Sequence, residues 1–163
     1  MRKIKKKLKK PRQPWNKERI ERENLLMKTY GLRRKREIWK AESILRSMRR
    51  RARNLAARRD KVREKILLDK LNKTGLLDKN ATLDDVLSLT VENILERRLQ
   101  TIVFQKKLAN TPKQARQLIT HGHIAVDGRR TMYPFLFITR GLEKKISIYS
   151  GSLVKINKPK SSG

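Results

Sequence analysis

Cysteine is absent from this 163-residue sequence, and glycine (7), proline (5) and aromatic residues (5%) are scarce. The lack of cysteine excludes disulfide bonds and thiolate metal sites, and it fits a reducing compartment. With 37% hydrophobic residues, the core must be modest, and part of the chain should order only on a partner. No apolar run approaches the roughly 18 residues that a membrane span needs, and no signal peptide follows the basic start. We expect a cytoplasmic protein of one domain or two small ones.

Acidic residues are also few, because 15 Asp and Glu stand against 44 Lys and Arg, for a formal charge of +29. A compact domain with this charge repels itself unless a polyanion neutralises it. Nucleic acid is the favoured polyanion, and an anionic membrane surface or an acidic protein remain as alternatives. Residues 1–70 carry a net +20 and residues 71–163 a net +9, so a basic region precedes a more ordinary domain.

The first half predicts a basic arm followed by helices. Residues 1–13 should be a disordered arm, since Pro11 and Pro14 oppose helix there. Helices are predicted from Asn16 to Tyr30, over 34–57 and over 60–72. Apolar residues at steps of three and four mark the second helix, and packing in a small bundle is favoured over a coiled-coil seam. The predicted core residues of the last two helices are Ile38, Ala41, Leu45, Met48, Ala52, Leu55, Val62, Ile66, Leu67 and Leu71.

The second half mixes short helices with strands. Thr82 and Asp85 predict a capping box that opens a short helix, and Thr90 should cap a single helix over 91–109. Thr111 and Pro112 predict the start of a further helix that ends at His121-Gly122. Strands are expected around Ile124–Val126, across an Asp127-Gly128 turn at Arg129-Arg130, and at 135–139 and 145–149. Residues 157–163 should form a flexible tail. The fold class is α+β.

Cationic and polar side chains between residues 94 and 130 could share one surface. Gln117 and His121 lie four residues apart and therefore on one helical face. Arginine forks suit phosphates, and the backbone N–H groups at Pro112 could provide a further anion site. An ordinary solvated basic face is the alternative.

This segment resembles the small RNA-binding module named after small-subunit ribosomal protein S-four. The resemblance rests on Glu96 to Gln100 and on Ala115 to Gly128, and it extends to Pro14-Trp15, Arg19-Ile20 and Tyr30 to Trp39, which are similar to the N-terminal region of the archaeal and eukaryotic form of that ribosomal family. It implies a basic helical region over 14–90 and a module of two short helices and a curled β-hairpin over 91–156. Asp127 replaces an asparagine frequent in the family, which makes a phosphate contact there doubtful.

The family resemblance implies a structural rRNA-binding protein rather than an enzyme. It implies early binding to the 5′ domain of small-subunit rRNA near a multi-helix junction, a place on the side where messenger RNA enters, a part in translational accuracy, ribosomal proteins three and five as neighbours, and no homo-oligomer. The implied and candidate RNA-binding residues are Arg97, Arg98, Lys106, Lys113, Arg116, Gln117, His121, Gly122, His123, Arg129, Arg130, Arg33, Arg34, Lys35, Arg36, Lys40, Arg46, Arg49, Arg50, Arg53, Lys5, Lys6, Lys7, Lys9, Lys10 and Arg12. A free-standing RNA-binding or RNA-modifying factor is the alternative. It would need a catalytic constellation that the sequence does not display.

Three other features have simpler explanations than a site. His121 and His123 without further ligands make a poor zinc site, so no metal or cofactor is expected. Trp15 and Trp39 could stack on bases, but a place in a small core is favoured for both. Asp84 and Asp85 are better explained by a helix start than by acid–base chemistry.

Overall fold

The computed structural model describes residues 8–152, an α+β fold in which helices precede a small sheet. Lys5, Lys6 and Lys7 and the predicted tail 157–163 lie outside the described residues. The helices are α1 Lys17–Thr29, α2 Lys35–Arg58, α3 Lys61–Lys73, α4 Leu83–Ser88, α5 Val91–Glu96, α6 Leu99–Gln105, α7 Pro112–Thr120 and α8 Arg140–Glu143. The strands are β1 Ile124–Val126, β2 Arg129–Arg130 and β3 Ile146–Ile148, antiparallel in the order β2-β1-β3.

The basic helical region forms as its sequence predicts. Asn16 Oδ1 accepts a hydrogen bond of 2.9 Å from the Arg19 N–H and so caps α1. The apolar stripe of α2 faces inward: Ile38, Ala41, Leu45 and Ala52 are buried, and Met48 and Leu55 are partly buried against the same core. Burial of one stripe leaves the basic faces of α2 to solvent.

Helix α3 buries only half of its predicted core residues. Leu67 and Leu71 are buried, whereas Val62 and Ile66 are 73% and 62% exposed. The prediction for Val62 and Ile66 was wrong because the two pairs lie on adjacent lines of the helix, about 100° apart. Helix α2 covers the line of Leu67 and Leu71 and leaves the other line uncovered.

The helix predicted over 91–109 is broken at Arg97 and Arg98 into α5 and α6. The segment 134–138 takes over hydrogen bonds that a continuous helix would make internally. The Leu99 N–H donates to the Leu136 carbonyl at 2.8 Å, and the Ile138 N–H donates to the Arg97 carbonyl at 3.0 Å. The prediction of a strand at 135–139 was also wrong. The β pairing of this segment consists of an isolated bridge between Arg98 and Phe137.

The hairpin between β1 and β2 turns at Asp127 and Gly128. Their φ angles are 54° and 74°, which places both in the left-handed region of a type I′ turn. Ala125 pairs with Arg130 in this hairpin, and Ile124 pairs with Ile148 of β3. The predicted β1, β2 and β3 are therefore confirmed.

Two apolar cores divide the fold. The first is built by α1 to α5 and the turns between them, and it includes Val91, Ile94 and Leu95 of α5. The second lies between α6, α7 and the sheet, and it begins at Leu99. Within residues 8–152, no helix combines the length and the apolar character that crossing a membrane requires.

The two tryptophans differ in their environments. Trp39 is partly buried on α2, and its indole Nε1 donates to Glu23 Oε1 at 2.9 Å. Trp15 lies in the turn before α1 and is 89% exposed. The core position expected for Trp15 was wrong, because the residue precedes the helix and its side chain does not reach the apolar face of α1.

Candidate nucleic-acid interface

Helix α7 is defined by local signals and presents a polar outer face. Thr111 Oγ1 accepts from the Gln114 N–H at 3.1 Å, and Gly122, with φ of 74°, ends the helix after His121. Lys113, Gln117 and His121 are exposed along the helix. The capping prediction is confirmed, and so is the shared helical face of Gln117 and His121, since the His121 N–H donates to the Gln117 carbonyl and both side chains are exposed.

The rings of the two histidines that follow α7 are stacked on each other. The rings of His121 and His123 are stacked with centroids 6.2 Å apart, and His123 Nδ1 lies 2.9 Å from Ser152 Oγ. Across residues 8–152, no group of three or more His, Cys, Asp or Glu side chains is placed to hold a metal ion.

The candidate RNA-binding residues separate by exposure. The exposed members are Lys9, Lys10, Arg12, Arg33, Arg34, Arg36, Arg46, Arg50, Arg53, Lys113, Gln117, His121, Arg129 and Arg130. The partly exposed members are Lys35, Lys40, Arg49, Arg97, Lys106, Arg116 and His123, and the buried members are Arg98 and Gly122. Exposure together with the protein contacts described below distinguishes side chains that are available to a ligand from those that the protein itself uses.

Arg97 lies between the two cores and contacts three segments. Its guanidinium donates to the Thr74 carbonyl at 3.0 Å, to Glu143 Oε2 at 3.0 Å and to the Ile138 carbonyl at 3.2 Å. Gly75 leaves room for this side chain, since a Cβ there would lie 2.7 Å from Arg97 Cζ. Arg97 therefore joins the end of α3 to the segment 138–143.

Glu37 of α2 binds two arginines of the following module. Arg98 donates to the Glu37 carbonyl at 2.9 Å and lies 3.6 Å from its Oε2, while Arg116 Nη2 lies 3.0 Å from Glu37 Oε1. Burial lowers the pKa of Arg98, and the Glu37 carboxylate opposes that shift. The three side chains form a compact ion cluster between the basic helical region and the module.

Gln100 is a positioning residue that the sequence analysis did not select. It is 3% exposed, and its Nε2 lies 2.9 Å from the Tyr30 carbonyl, 3.0 Å from that of Gly31 and 2.9 Å from that of Pro112. The signal that could have identified it is an amide inside the otherwise apolar face of α6. A buried amide requires partners, and here they come from two distant segments.

The start of α7 is covered by the N-terminal region. Gly31 has φ of 59°, and a Cβ on it would lie 2.9 Å from the Lys113 nitrogen and from the Pro112 carbonyl carbon. The Gln114 N–H is bound by Thr111. The anion site expected at the Pro112 helix start is therefore closed by packing and capping.

The hairpin holds Arg130 against the end of α7 and leaves Arg129 exposed. Arg130 Nε donates to the Gly122 carbonyl at 3.1 Å, and its Nη2 donates to the His121 carbonyl at 3.0 Å. Asp127 pairs with Lys145 at 2.8 Å, and this hydrogen bond lowers the pKa of the Asp127 carboxyl. The negative charge that made a phosphate contact doubtful at this turn is thus offset by Lys145.

Some cations of helix α2 contact the protein, and others are exposed to solvent. Arg49 donates to the Leu89 carbonyl, and Lys40 Nζ lies 4.7 Å from the Phe135 ring centroid. Arg46, Arg50 and Arg53 are exposed. The outer face of α2 can therefore approach phosphates while its inner arginine ties the helix to the end of α4.

Comparisons with known proteins agree with this two-part organisation. Residues 2–96 match the model of the ribosomal protein S4/S9 N-terminal domain, and residues 97–131 match that of the S4 domain. The chain is 51% identical over 162 residues to the small ribosomal subunit protein uS4 of Sulfolobus acidocaldarius, covering 97% of this chain and 92% of the relative. It is 55% identical over 148 residues to the uS4 of Ignicoccus hospitalis, covering 89% of each chain. With the uS4 of Methanothermobacter thermautotrophicus the identity is 49% over 158 residues, 94% of this chain and 92% of the relative.

Proposed function

The chain belongs to the uS4 family of small ribosomal subunit proteins, and on that premise we propose that it binds small-subunit rRNA through its exposed cations. The family is structural and not enzymatic, so the role is that of a ribosomal component in translation. The cytoplasm is the proposed location, in the small subunit.

The separation of the candidate residues by exposure carries this proposal. Arg97, Arg98 and Arg116 have protein partners that hold the fold together, whereas Lys113 and Arg129 project without an ion pair among residues 8–152. A phosphate contact requires a side chain that can leave water for the RNA backbone. We therefore assign these three arginines to holding the fold together, and exposed cations such as Lys113 and Arg129 to RNA.

Affinity and specificity have different sources in such a complex. Each phosphate contact releases condensed counterions, so the affinity falls with salt by a log–log slope of about 0.7 to 0.9 per contact. Specificity comes from RNA shape, because the deep groove of A-form RNA hides its base edges. A rigid pairing of the basic helical region with the module suits a folded multi-helix junction in the 5′ domain, which is the proposed early assembly site.

The finer assignments follow from the family and stay proposals. They are early binding during subunit assembly, a place beside ribosomal proteins three and five on the side where messenger RNA enters, a contribution to translational accuracy, and a single copy per subunit rather than a homo-oligomer.

Binding to a 5′-domain rRNA fragment tests the proposal. We expect Lys113→Glu to weaken binding by about tenfold or more, because one contact is lost and a repulsion is added. Lys79→Glu is the matched control, since Lys79 is exposed, lies outside the candidate residues and undergoes the same charge change. Equal losses in the two variants would overturn the assignment of the module surface. Failure of the wild-type chain to co-sediment with small subunits at physiological salt would overturn the proposed rRNA binding.

A further inference from the structure

Trp15 is the most conspicuous exposed side chain of the described region. It is 89% exposed in the turn between Pro14 and Asn16. Leaving an indole in water forgoes the favourable free energy that burial of its large apolar surface would supply. A side chain of this kind at a basic surface is available to stack on a ligand with an aromatic face.

Trp15 lines a cleft of about 430 Å³ between the start of α1 and α2. The residues that form its wall are Lys10, Pro11, Pro14, Trp15, Arg19, Ile20, Glu23, Lys35, Arg36 and Trp39. The volume lies within the range of about 300 to 1,000 Å³ typical of small-ligand sites. Two indoles and four cations therefore line one concave site.

The single carboxylate of the cleft is already neutralised from within. Glu23 is 2% exposed, accepts from Trp39 Nε1 at 2.9 Å and lies 3.4 Å from Lys35 Nζ. It therefore contributes little negative field at the mouth of the cleft, where Lys10 and Arg36 are exposed. The cleft selects for an anionic ligand and against a cationic one.

Arg19 is held with unused donors in the wall of this cleft. Its Nη2 donates to the Pro14 carbonyl at 2.9 Å, which fixes the segment that carries Trp15. Its Nε lies 3.8 Å from Glu23 Oε1, and within residues 8–152 neither Nε nor Nη1 has a hydrogen-bond partner. A buried donor without a partner is costly, so an acceptor that reaches Arg19 would gain free energy.

We propose that this cleft binds one unpaired RNA base, stacked on Trp15, with the adjoining phosphate at Lys10 and Arg36. The inference rests on the proposed rRNA-binding function and adds to it the kind of nucleotide that the N-terminal region takes. A paired base cannot occupy the cleft, because its faces are covered by neighbouring base pairs. An extruded base presents both a flat face for stacking and acceptors for a guanidinium.

The stacking is tested by measuring how tightly the full chain binds two labelled oligomers, with fluorescence anisotropy as the readout. One is an oligoadenylate of about ten nucleotides, and the other is an abasic ribose-phosphate oligomer of equal length, which keeps the charge and lacks the bases. We expect Trp15→Ala to weaken oligoadenylate binding by roughly 5- to 150-fold and to leave binding of the abasic oligomer nearly unchanged. Trp15→Phe should restore much of the affinity, because phenylalanine keeps a stacking face.

The controls separate stacking from other causes. Tyr133→Ala removes another exposed aromatic side chain, 61% exposed, outside the cleft, and should weaken binding less than Trp15→Ala. The melting temperature of Trp15→Ala should match the wild type, since an exposed side chain supports little packing. Equal loss on both oligomers, or no loss on either, would overturn the proposal, and the latter result would favour a protein partner for the cleft. Weak binding of the wild-type chain to the rRNA fragment would instead overturn the proposed function itself.

Discussion

Glu37 and Arg116 form a two-bond ion pair although 79 residues separate them in sequence. Arg116 Nη2 lies 3.0 Å from Glu37 Oε1, and Arg116 Nη1 donates to Glu37 Oε2 at 3.1 Å. Arg98 completes the cluster from the other side of the same carboxylate. The pair joins α2 to α7, and thus the two halves of the proposed RNA-binding surface.

Removing the Glu37 charge should destabilise the whole fold. Glu37→Gln leaves Arg98, 5% exposed, as a buried cation without its carboxylate, which costs about 3 kcal/mol. Urea denaturation measures the loss in the free energy of unfolding. Glu21→Gln makes the same charge change at an exposed position of α1 and should cost under about 0.5 kcal/mol. Similar values for the two variants would show that the cluster contributes nothing specific.

Two glycine substitutions separate backbone strain from close packing. Gly31 and Gly128 both have positive φ, so alanine at either position costs about 1 kcal/mol in conformation. At Gly31 the added Cβ also meets the backbone of Pro112 and Lys113, whereas nothing lies within 4 Å of it at Gly128. We expect Gly31→Ala to lower the stability by at least about 1 kcal/mol more than Gly128→Ala, measured by thermal unfolding. The reverse order would contradict the docking of α7 on Gly31.

Arg97→Ala should mainly reduce the stability of the fold, whereas Lys113→Ala should mainly reduce RNA binding. Arg97→Ala leaves the carbonyls of Thr74 and Ile138 without their donor and should lower the free energy of unfolding by about 2 kcal/mol or more. Lys113→Ala should leave stability nearly unchanged and reduce the salt slope of rRNA binding by about 0.7 to 0.9. Denaturation and binding titrations on both variants measure this. A slope change in Arg97→Ala as large as in Lys113→Ala would show that Arg97 contacts a phosphate directly.

The raised pKa of Tyr30 predicts that the free energy of unfolding falls at alkaline pH. Burial, together with the carboxylates of Glu96 and Glu92, raises the pKa of Tyr30 from 10.0 to about 12. The folded state therefore holds this proton more tightly than the unfolded state does. The contribution of the protonated Tyr30 side chain to the free energy of unfolding is complete below pH 10. It is lost as the pH rises from 10 to about 12. Phenolate absorbance should show one late-titrating tyrosine of the three, absent in Tyr30→Phe. Titration of all three together would contradict the raised pKa of the partly buried Tyr30.

Elements with local signals were predictable from the sequence. Asn16, Thr82 and Thr111 cap the helices that follow them through contacts three residues away, which a linear reading contains. The break between α5 and α6 was not predictable, because the partner of the Leu99 N–H is Leu136, 37 positions later. Periodicity alone continues a helix through such a point.

In the candidate site, too, features with local signals were predictable and features that depend on distant contacts were not. The sequence selected four of the six exposed cations of α2, where helical spacing is a local signal. Among the exposed cations of the module within residues 91–152, it selected Lys113, Arg129 and Arg130 and missed Lys107, Arg140, Lys144 and Lys145. It could not separate Arg97 and Arg98 from their exposed neighbours, because an arginine that holds carbonyls and one that faces solvent are the same letter. Only the fold reveals that Gln100, an unselected amide, connects Tyr30 to Pro112.

The amide of Gln100 has a consequence for synthesis of the chain. Its partner carbonyl on Tyr30 leaves the translating ribosome 70 residues earlier. The contacts that seat Gly31 beneath α7 also need Pro112, which follows Gln100 by 12 residues. The basic helical region is therefore complete in sequence before it can dock on the module, and its full set of contacts forms only once α7 has been made.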